Sequence, residues 1–221
     1  MNILVKFPTL NRPTQFFDTL YKYYKMAKNI DKMKFVITID ESDYSMNNEK
    51  VLNGLKTYPN IEYHIGVSKS KIDAINRDLD KINNWDILLL ASDDMVPQIV
   101  GYDEIIRNDM EKYYSDLDGV LWYNDGHQKD NLNTLSILGK KYFDRFNYIY
   151  YPEYKSEWAD NEFTRVGNLL KKQTYIDNVI IEHQHPNWGY GNYDNIHKDN
   201  VLNSNYDQQI FIKREKINFG I

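Results

Sequence analysis

Short apolar runs alternate with amphipathic segments through the first half of the chain. The runs indicate buried strands at residues 3–7, 35–39, 61–65 and 86–91. Apolar residues at helical spacing between them indicate helices that begin at 11–14 and that span 48–55 and 68–82. Strands that alternate with helices are joined by crossovers into a parallel sheet covered on both faces. We therefore predict an α/β domain with a mostly parallel central sheet.

The second half is less regular but continues the mixture of elements. It predicts strands at residues 119–123, 134–138 and 175–182 and helices at 102–115, 140–146 and 157–171. Residues 191–221 are polar and rich in Asn, Asp and Tyr, which indicates a tail or flap. No repeat or linker divides the 221 residues, so we expect one domain.

Composition narrows the class of protein. The chain has no cysteine, which excludes disulfides, thiolate metal sites and cysteine nucleophiles. Its apolar runs are far shorter than the ~20 residues of a membrane-spanning helix, and the N-terminus lacks the pattern of a signal peptide. We therefore expect a cytoplasmic protein with no transmembrane segment. A net charge of -5 argues against broad nucleic-acid binding.

Polar residues follow three of the predicted strands. They are Pro8 and Thr9, Asp40 and Glu41, and Asp93 and Asp94. Ligands of α/β sheets gather at the carboxyl ends of the strands. Two adjacent carboxylates at the end of a buried strand repel each other, and a divalent cation shared with a diphosphate would compensate them. A solvated turn whose Asp caps the next helix explains the same residues.

Two further groups of residues could carry chemistry. His183 and His185 lie two apart at a strand end, where both side chains point the same way and could bind a metal ion. They could also form a simple surface pair. Asp160 and Glu162 open a predicted helix, where the helix dipole alone would stabilise them. Beside a metal-bound diphosphate, one of them could take a proton from an incoming hydroxyl.

A dense aromatic belt precedes that helix. It comprises Tyr142, Phe143, Phe146, Tyr148, Tyr150, Tyr151, Tyr154 and Trp158. Such side chains suit stacking with sugars or bases, although core packing explains them equally. The sequence contains no P-loop, dinucleotide, zincin or serine-hydrolase motif.

Taken in order, six segments resemble the GT-A nucleotide-sugar glycosyltransferases, in particular the family 2-like group. They are TLNRP at 9–13, VITIDES at 36–42, SKIDAINR at 70–77, LLASDDMVP at 89–97, WADNE at 158–162 and EHQHP at 182–186. The likeness covers roughly residues 2–190. The metal motif reads Ser-Asp-Asp in place of Asp-x-Asp.

The resemblance implies a role for each matching residue. Donor binding would fall to Pro8, Thr9, Asn11, Arg12, Asp40, Glu41, Lys71, Asn76 and Asp93. Asp94, His183 and His185 would hold Mn²⁺ or Mg²⁺, and Asp160 would be the general base of an inverting transfer. Residues 1–100 would form the nucleotide-sugar-binding half of the domain and 101–190 the acceptor-binding half. The donor implied is a UDP-sugar.

Alternatives stay open at this point. The same carboxylates could serve a metal-dependent phosphoryl- or nucleotidyl-transfer enzyme, or the chain could be a non-catalytic carbohydrate- or nucleotide-binding module. The acceptor could be a glycan or another hydroxyl compound. A hydroxylated base in modified phage DNA is also an acceptor of this kind, but the negative net charge does not favour it.

Overall fold

The computed structural model describes residues 1–190 and 202–221, and the strands within them form two sheets. The strands are β1 (Ile3–Thr9), β2 (Met33–Asp40), β3 (Ile61–Gly66), β4 (Ile87–Leu90), β5 (Met95–Pro97), β6 (Val120–Tyr123), β7 (Ile137–Gly139), β8 (Gln173–Ile176) and β9 (Ile181–His183). The helices are α1 (Pro13–Met26), α2 (Glu49–Leu55), α3 (Lys71–Asn76), α4 (Tyr102–Tyr114), α5 (Lys140–Asp144), α6 (Ala159–Leu169) and α7 (Ser204–Glu215).

The large sheet has the strand order β3-β2-β1-β4-β7-β6-β8. Strands β3, β2, β1 and β4 are mutually parallel, β7 is antiparallel to both of its neighbours, and β6 and β8 are parallel. The small sheet pairs β5 with β9 in antiparallel fashion. The carboxyl ends of β1, β2 and β4 therefore lie at one edge. This architecture confirms the predicted fold class.

Local signals fix where the first helices begin. Pro13 occupies the first turn of α1, where its fixed φ and missing N–H cost nothing. The side chain of Asn48 accepts the Val51 N–H at the start of α2, and Ser70 accepts the Asp73 N–H at the start of α3. These starts place each helix directly after the polar loop that follows a strand.

The two faces of the sheet are buried in separate cores. Ile3, Val5 and Phe7 of β1 face α1 and α4, where they meet Phe16 and Tyr102. On the other face, Leu4 of β1 packs with Ile72 of α3, Phe163 of α6 and Ile210 of α7. Alternate residues of one strand thus pack against the helix layers on opposite faces of the sheet.

Two predicted elements were wrong. The helix expected at 68–82 ends at Asn76, because Arg77 is extended and Asp78 is left-handed with φ 71°; a 3₁₀ turn, Leu79–Lys81, follows. The strand expected at 175–182 is two strands, β8 and β9, which belong to different sheets. The residues between them carry the chain from one sheet to the other.

A buried lysine explains the break after α3. Lys6 shares the face of β1 with Leu4 and is completely buried. Its ammonium group donates hydrogen bonds to the hydroxyl of Thr38 and, at 2.7 Å, to the carbonyl of Arg77. Burial lowers the pKa of Lys6 to about 7, and the charge of Asp78 opposes this only in part. A helical Arg77 would point its carbonyl along the helix instead.

The segment expected to be a tail contains a docked helix. Asp207 of α7 is fully buried and accepts the backbone N–H groups of Lys155, Ser156 and Glu157 at 2.8–2.9 Å. Arg214 donates two hydrogen bonds to Glu162, at 2.7 and 2.9 Å. Helix α7 therefore fixes the chain that leads into α6. Residues 191–201 of the expected tail lie outside the described residues.

Across 1–190 and 202–221, the structure has no helix whose length and apolar character would allow it to cross a bilayer.

Candidate functional site

The polar ends of β1 and β4 meet at the carboxyl edge of the sheet. Arg12, which precedes α1, lies with its guanidinium 3.3 Å from the carboxylate of Asp93. Thr19 of α1 donates to the carbonyl of Asp93 at 2.6 Å. Burial raises the pKa of Asp93 to about 6, the adjacent Asp94 raises it as well, and Arg12 offsets both only in part. The hydroxyl of Thr9 is buried without a hydrogen-bond partner, so one donor is left at the end of β1.

Asp94 and His183 form the centre of the site. Nε2 of His183 lies 3.5 Å from the carboxylate of Asp94, because β9 pairs with β5 directly after the two aspartates. Burial alone would raise the pKa of Asp94, but interaction with His183 holds it well below its usual range. Burial alone would lower the pKa of His183, but Asp94 raises it above its ordinary value. The hydroxyl of Ser92 donates to Asp94 and orients its carboxylate.

Asp125 is a site residue that the sequence reasoning missed. It is 2% exposed, and one of its carboxylate oxygens lies 3.9 Å from Nδ1 of His183. Its carbonyl accepts the His183 N–H at 2.9 Å. Nδ1 of His183 is buried and has no hydrogen-bond partner. In the sequence Asp125 sits in the polar stretch NDGHQKDN, which is typical of a solvated loop.

Asp160 is the second residue of α6 and lies close to the same centre. Burial raises its pKa above the ordinary value, and the nearby Lys71 and His183 oppose the shift. The residue keeps a partly exposed surface. Trp158, which precedes the helix, adopts a left-handed conformation with φ 62°, rare for a bulky residue. This backbone bend sets the direction in which α6 presents Asp160.

Glu162 has a different environment from Asp160. Its carboxylate is paired with Arg214 and accepts the hydroxyl of Tyr154 at 2.9 Å. It is 4% exposed and faces α7. Of the two candidate carboxylates, Glu162 therefore holds helices together, and Asp160 lies near the centre.

Lys71 is a cation whose charge acts on three carboxylates of the site. It is the first residue of α3 and is exposed, and its charge lowers the pKa of Asp93, Asp94 and Asp160 alike. An exposed ammonium group that faces three carboxylates is placed to attract a polyanion to this edge of the sheet.

The ends of β2 and β3 form a neighbouring polar group. The carboxylate of Asp40 accepts hydrogen bonds from Ser42 and from the Ser68 N–H. Burial alone would raise the pKa of Asp40, but these bonds hold it below its ordinary value. Arg77, released from α3 by the Lys6 contact, donates to the carbonyl of Ile39 at 2.7 Å. Arg77 is a second residue that the sequence reasoning did not single out as a site residue.

Three further predicted residues lie at the ends of β1 and β2. Pro8 lies within β1 opposite Thr38, and Asn11 donates its N–H to Asp43 at 2.6 Å in a left-handed turn with φ 59°. The side chain of Glu41 is exposed.

Asn76 does not join the site. Its carboxamide is used by the backbone of Ile149 and Tyr150, with contacts of 2.6–3.2 Å. The role near the diphosphate that the resemblance implied for Asn76 is therefore not supported by its contacts.

His185 lies beside His183 but has a local partner. The two ring centroids are 5.5 Å apart. Nδ1 of His185 accepts the Asn187 N–H at 3.2 Å and caps the 3₁₀ turn Pro186–Trp188. Across residues 1–190 and 202–221, no three acidic or histidine side chains are arranged to hold a metal ion. The predicted metal-binding set of Asp94, His183 and His185 stays a prediction.

The aromatic belt is mainly core. Tyr142, Phe143, Tyr150 and Tyr154 are at most 7% exposed and pack between the sheet and α6. The hydroxyl of Tyr150 lies 3.0 Å from that of Ser136, beneath the site. The stacking surface expected here is therefore limited to Phe146, Tyr148, Tyr151 and Trp158, which are partly exposed.

Comparison with solved structures identifies the fold. The mannosyltransferase PcManGT from Pyrobaculum calidifontis, in complex with GDP-Man and Mn²⁺, superposes with a TM-score of 0.66 at 12% identity, over 93% of this chain and 69% of that one. S. aureus TarS 1-349 in complex with UDP-GlcNAc gives a TM-score of 0.69 at 14% identity, over 90% of this chain and 61% of that one. TarS 1-349 in complex with UDP gives 0.65 at 13% identity, over 100% and 72%. The chain has the GT-A fold.

Comparison by sequence identifies no family for this chain. No protein-family model matches it, and no curated protein sequence matches it. The likeness to the solved structures is therefore one of fold.

Proposed function

We propose that this protein is a metal-dependent, inverting glycosyltransferase that moves a sugar from a nucleoside-diphosphate sugar, with UDP as the nucleotide, to an acceptor hydroxyl. One observation carries the proposal: Asp94 pairs with His183 at the carboxyl edge of the sheet, and the charges of His183 and Lys71 both act on Asp160. The nucleotide-sugar complexes of the structurally similar PcManGT and TarS support a donor of this type.

The residues present fit a divalent metal ion. Asp94 and His183 would hold Mn²⁺ or Mg²⁺, with the remaining positions left to diphosphate oxygens and water, as these ions prefer. Nδ1 of His183, buried and unpaired, faces Asp125, the arrangement that commonly orients a metal-binding imidazole. When bound, the ion supplies positive charge that stabilises the departing diphosphate.

The chain's own residues supply the rest of the reaction. Lys71 attracts the diphosphate, and Arg12 keeps Asp93 in place beside it. Asp160 accepts the proton of the acceptor hydroxyl at its carboxylate, and its raised pKa makes it a stronger base than an exposed aspartate. The hydroxyl oxygen attacks the anomeric carbon opposite the leaving diphosphate, so the configuration inverts.

Thermal-shift measurements test the donor site. UDP, GDP, CDP, TDP and ADP are each added with Mn²⁺, Mg²⁺ or EDTA. A ligand at about 100 times its dissociation constant adds about 2.7 kcal/mol of stability. We expect UDP to raise the melting temperature only with metal, and Asp94→Ala to abolish the rise. Asp18→Ala, at an exposed position on α1, is the matched control. No response to any nucleotide would refute the proposal.

A further inference from the structure

A second aromatic surface lies beside the candidate site. The rings of His127 and Trp188 stack in parallel, with centroids 5.0 Å apart and 5° between their planes. Tyr190 meets His127 edge-on at 5.9 Å. Trp188 is 40% exposed and Tyr190 37%, in contrast to the four buried residues of the belt. We call His127, Trp188 and Tyr190 the aromatic platform.

The carboxylate of Glu182 borders the platform. Glu182 accepts the hydroxyl of Tyr190 at 2.9 Å and the amide of Gln184 at 2.8 Å. Nε2 of His127 is buried without a hydrogen-bond partner and lies 4.0 Å from Glu182. Gly126 has φ 92°, and a Cβ there would lie 3.2 Å from the Glu182 side chain. The loop therefore approaches Glu182 as closely as a glycine allows.

The platform is linked to the neighbourhood of the Asp94–His183 pair by hydrogen bonds on two sides. Asp125, which faces His183, also accepts the N–H groups of His127 and Gln128 at 2.9 and 2.6 Å. Trp188 donates its N–H to the carbonyl of His185 at 2.9 Å. The loop that carries His127 and the turn that carries Trp188 thus both start from residues of the candidate centre.

We propose that the aromatic platform is the acceptor subsite and that it binds a pyranose ring, which stacks on Trp188 and donates a hydroxyl hydrogen bond to Glu182. This inference deepens the proposed function and rests on it. An exposed indole supplies a flat apolar surface for the C–H face of a sugar, and a carboxylate accepts its hydroxyls. Glu182 and Asp125 would repel the phosphates of a nucleic acid, so the charge favours a neutral glycan.

Fluorine NMR of the full chain labelled with 5-fluorotryptophan tests binding directly. The four tryptophans give four resonances, and the one that Trp188→Phe removes belongs to Trp188. The probes are the methyl pyranosides of glucose, galactose, mannose and N-acetylglucosamine, with sorbitol as a polyol that has no ring. We expect at least one pyranoside to shift the Trp188 resonance and sorbitol to leave it in place. No shift with any pyranoside, or an equal shift with sorbitol, overturns the proposal.

A kinetic measurement connects the platform to transfer. With the best-binding methyl glycoside as acceptor, we expect Trp188→Ala to raise KM at least about tenfold, which corresponds to ~1.4 kcal/mol, and to reduce kcat less. Tyr21→Ala, an exposed aromatic on α1, is the matched control and should change neither value. An unchanged KM overturns the proposal. If no nucleotide stabilises the protein, the proposed function fails, while the NMR measurement still decides whether the platform binds sugar.

Discussion

Replacing Lys6 by methionine should change how the stability of the protein depends on pH. The lysine is completely buried, and its pKa is lowered to about 7 from 10.5. Between these two values the unfolded chain binds a proton that the folded protein does not. The free energy of unfolding should therefore rise with pH, by at most about 1.4 kcal/mol per pH unit for this one group. Below about pH 7 both states are protonated, and the contribution to the slope disappears.

Absolute stability at one pH is a poor test of this effect. Lys6→Met removes the penalty of a buried ammonium group but leaves the carbonyl of Arg77 without its donor, at a cost of ~1–3 kcal/mol. These two effects change the free energy of unfolding in opposite directions. The slope against pH is free of this ambiguity, because a lost hydrogen bond costs about the same at every pH, and the tyrosines and carboxyls titrate in both proteins.

Urea denaturation followed by tryptophan fluorescence measures the slope. We expect the free energy of unfolding to increase between about pH 7 and about pH 9 in the wild type, and to increase less in Lys6→Met by up to ~1.4 kcal/mol per pH unit. Lys22→Met, at an exposed lysine on α1, is the control and should follow the wild type. Parallel curves for Lys6→Met and the wild type would refute the assignment of a buried, largely neutral lysine.

Three further outcomes follow from the site. Asp160→Asn should abolish transfer yet raise the melting temperature near pH 7. Burial raises the pKa of Asp160, so its ionised form destabilises the folded protein at that pH. A lower melting temperature of the variant would contradict this. Glu162→Gln should lower the free energy of unfolding by about 1.5–3 kcal/mol, because the partly buried Arg214 loses its charged hydrogen-bond partner, and equal urea midpoints would argue against it. UDP–Mn²⁺ affinity, measured by calorimetry, should fall as the pH drops below about 6, because the pKa of Asp93 is about 6; constant affinity down to about pH 5 would exclude an ionised Asp93 from binding.

The strand ends were predictable because they depend on short-range patterns. Apolar runs that end near Thr9, Asp40 and Asp93 predict parallel strands, and parallel strands bring their carboxyl ends to one edge of the sheet. The fold class followed from this, and it is confirmed. The roles of the individual site residues remain predictions.

Long-range contacts account for what the sequence could not reveal. The break after Asn76 depends on Lys6, and the distinction between Asp160 and Glu162 depends on Arg214. Both partners are distant in the chain, and neither leaves a local signal. The aromatic belt was ambiguous for a related reason: spacing cannot tell which tyrosines a neighbouring helix will cover.

The contact of α7 with residues 155–157 has a consequence for folding during synthesis on the ribosome. The backbone N–H groups of Lys155 and Ser156, which precede Trp158 and Asp160 in the chain, donate hydrogen bonds to the carboxylate of Asp207. A nascent chain that has emerged only as far as β9 can form the sheet and the Asp94–His183 pair, but its three N–H groups at 155–157 still lack their carboxylate. The start of α6, which carries Asp160, should therefore reach its final geometry only after α7 has left the exit tunnel, later than the carboxyl edge of the sheet.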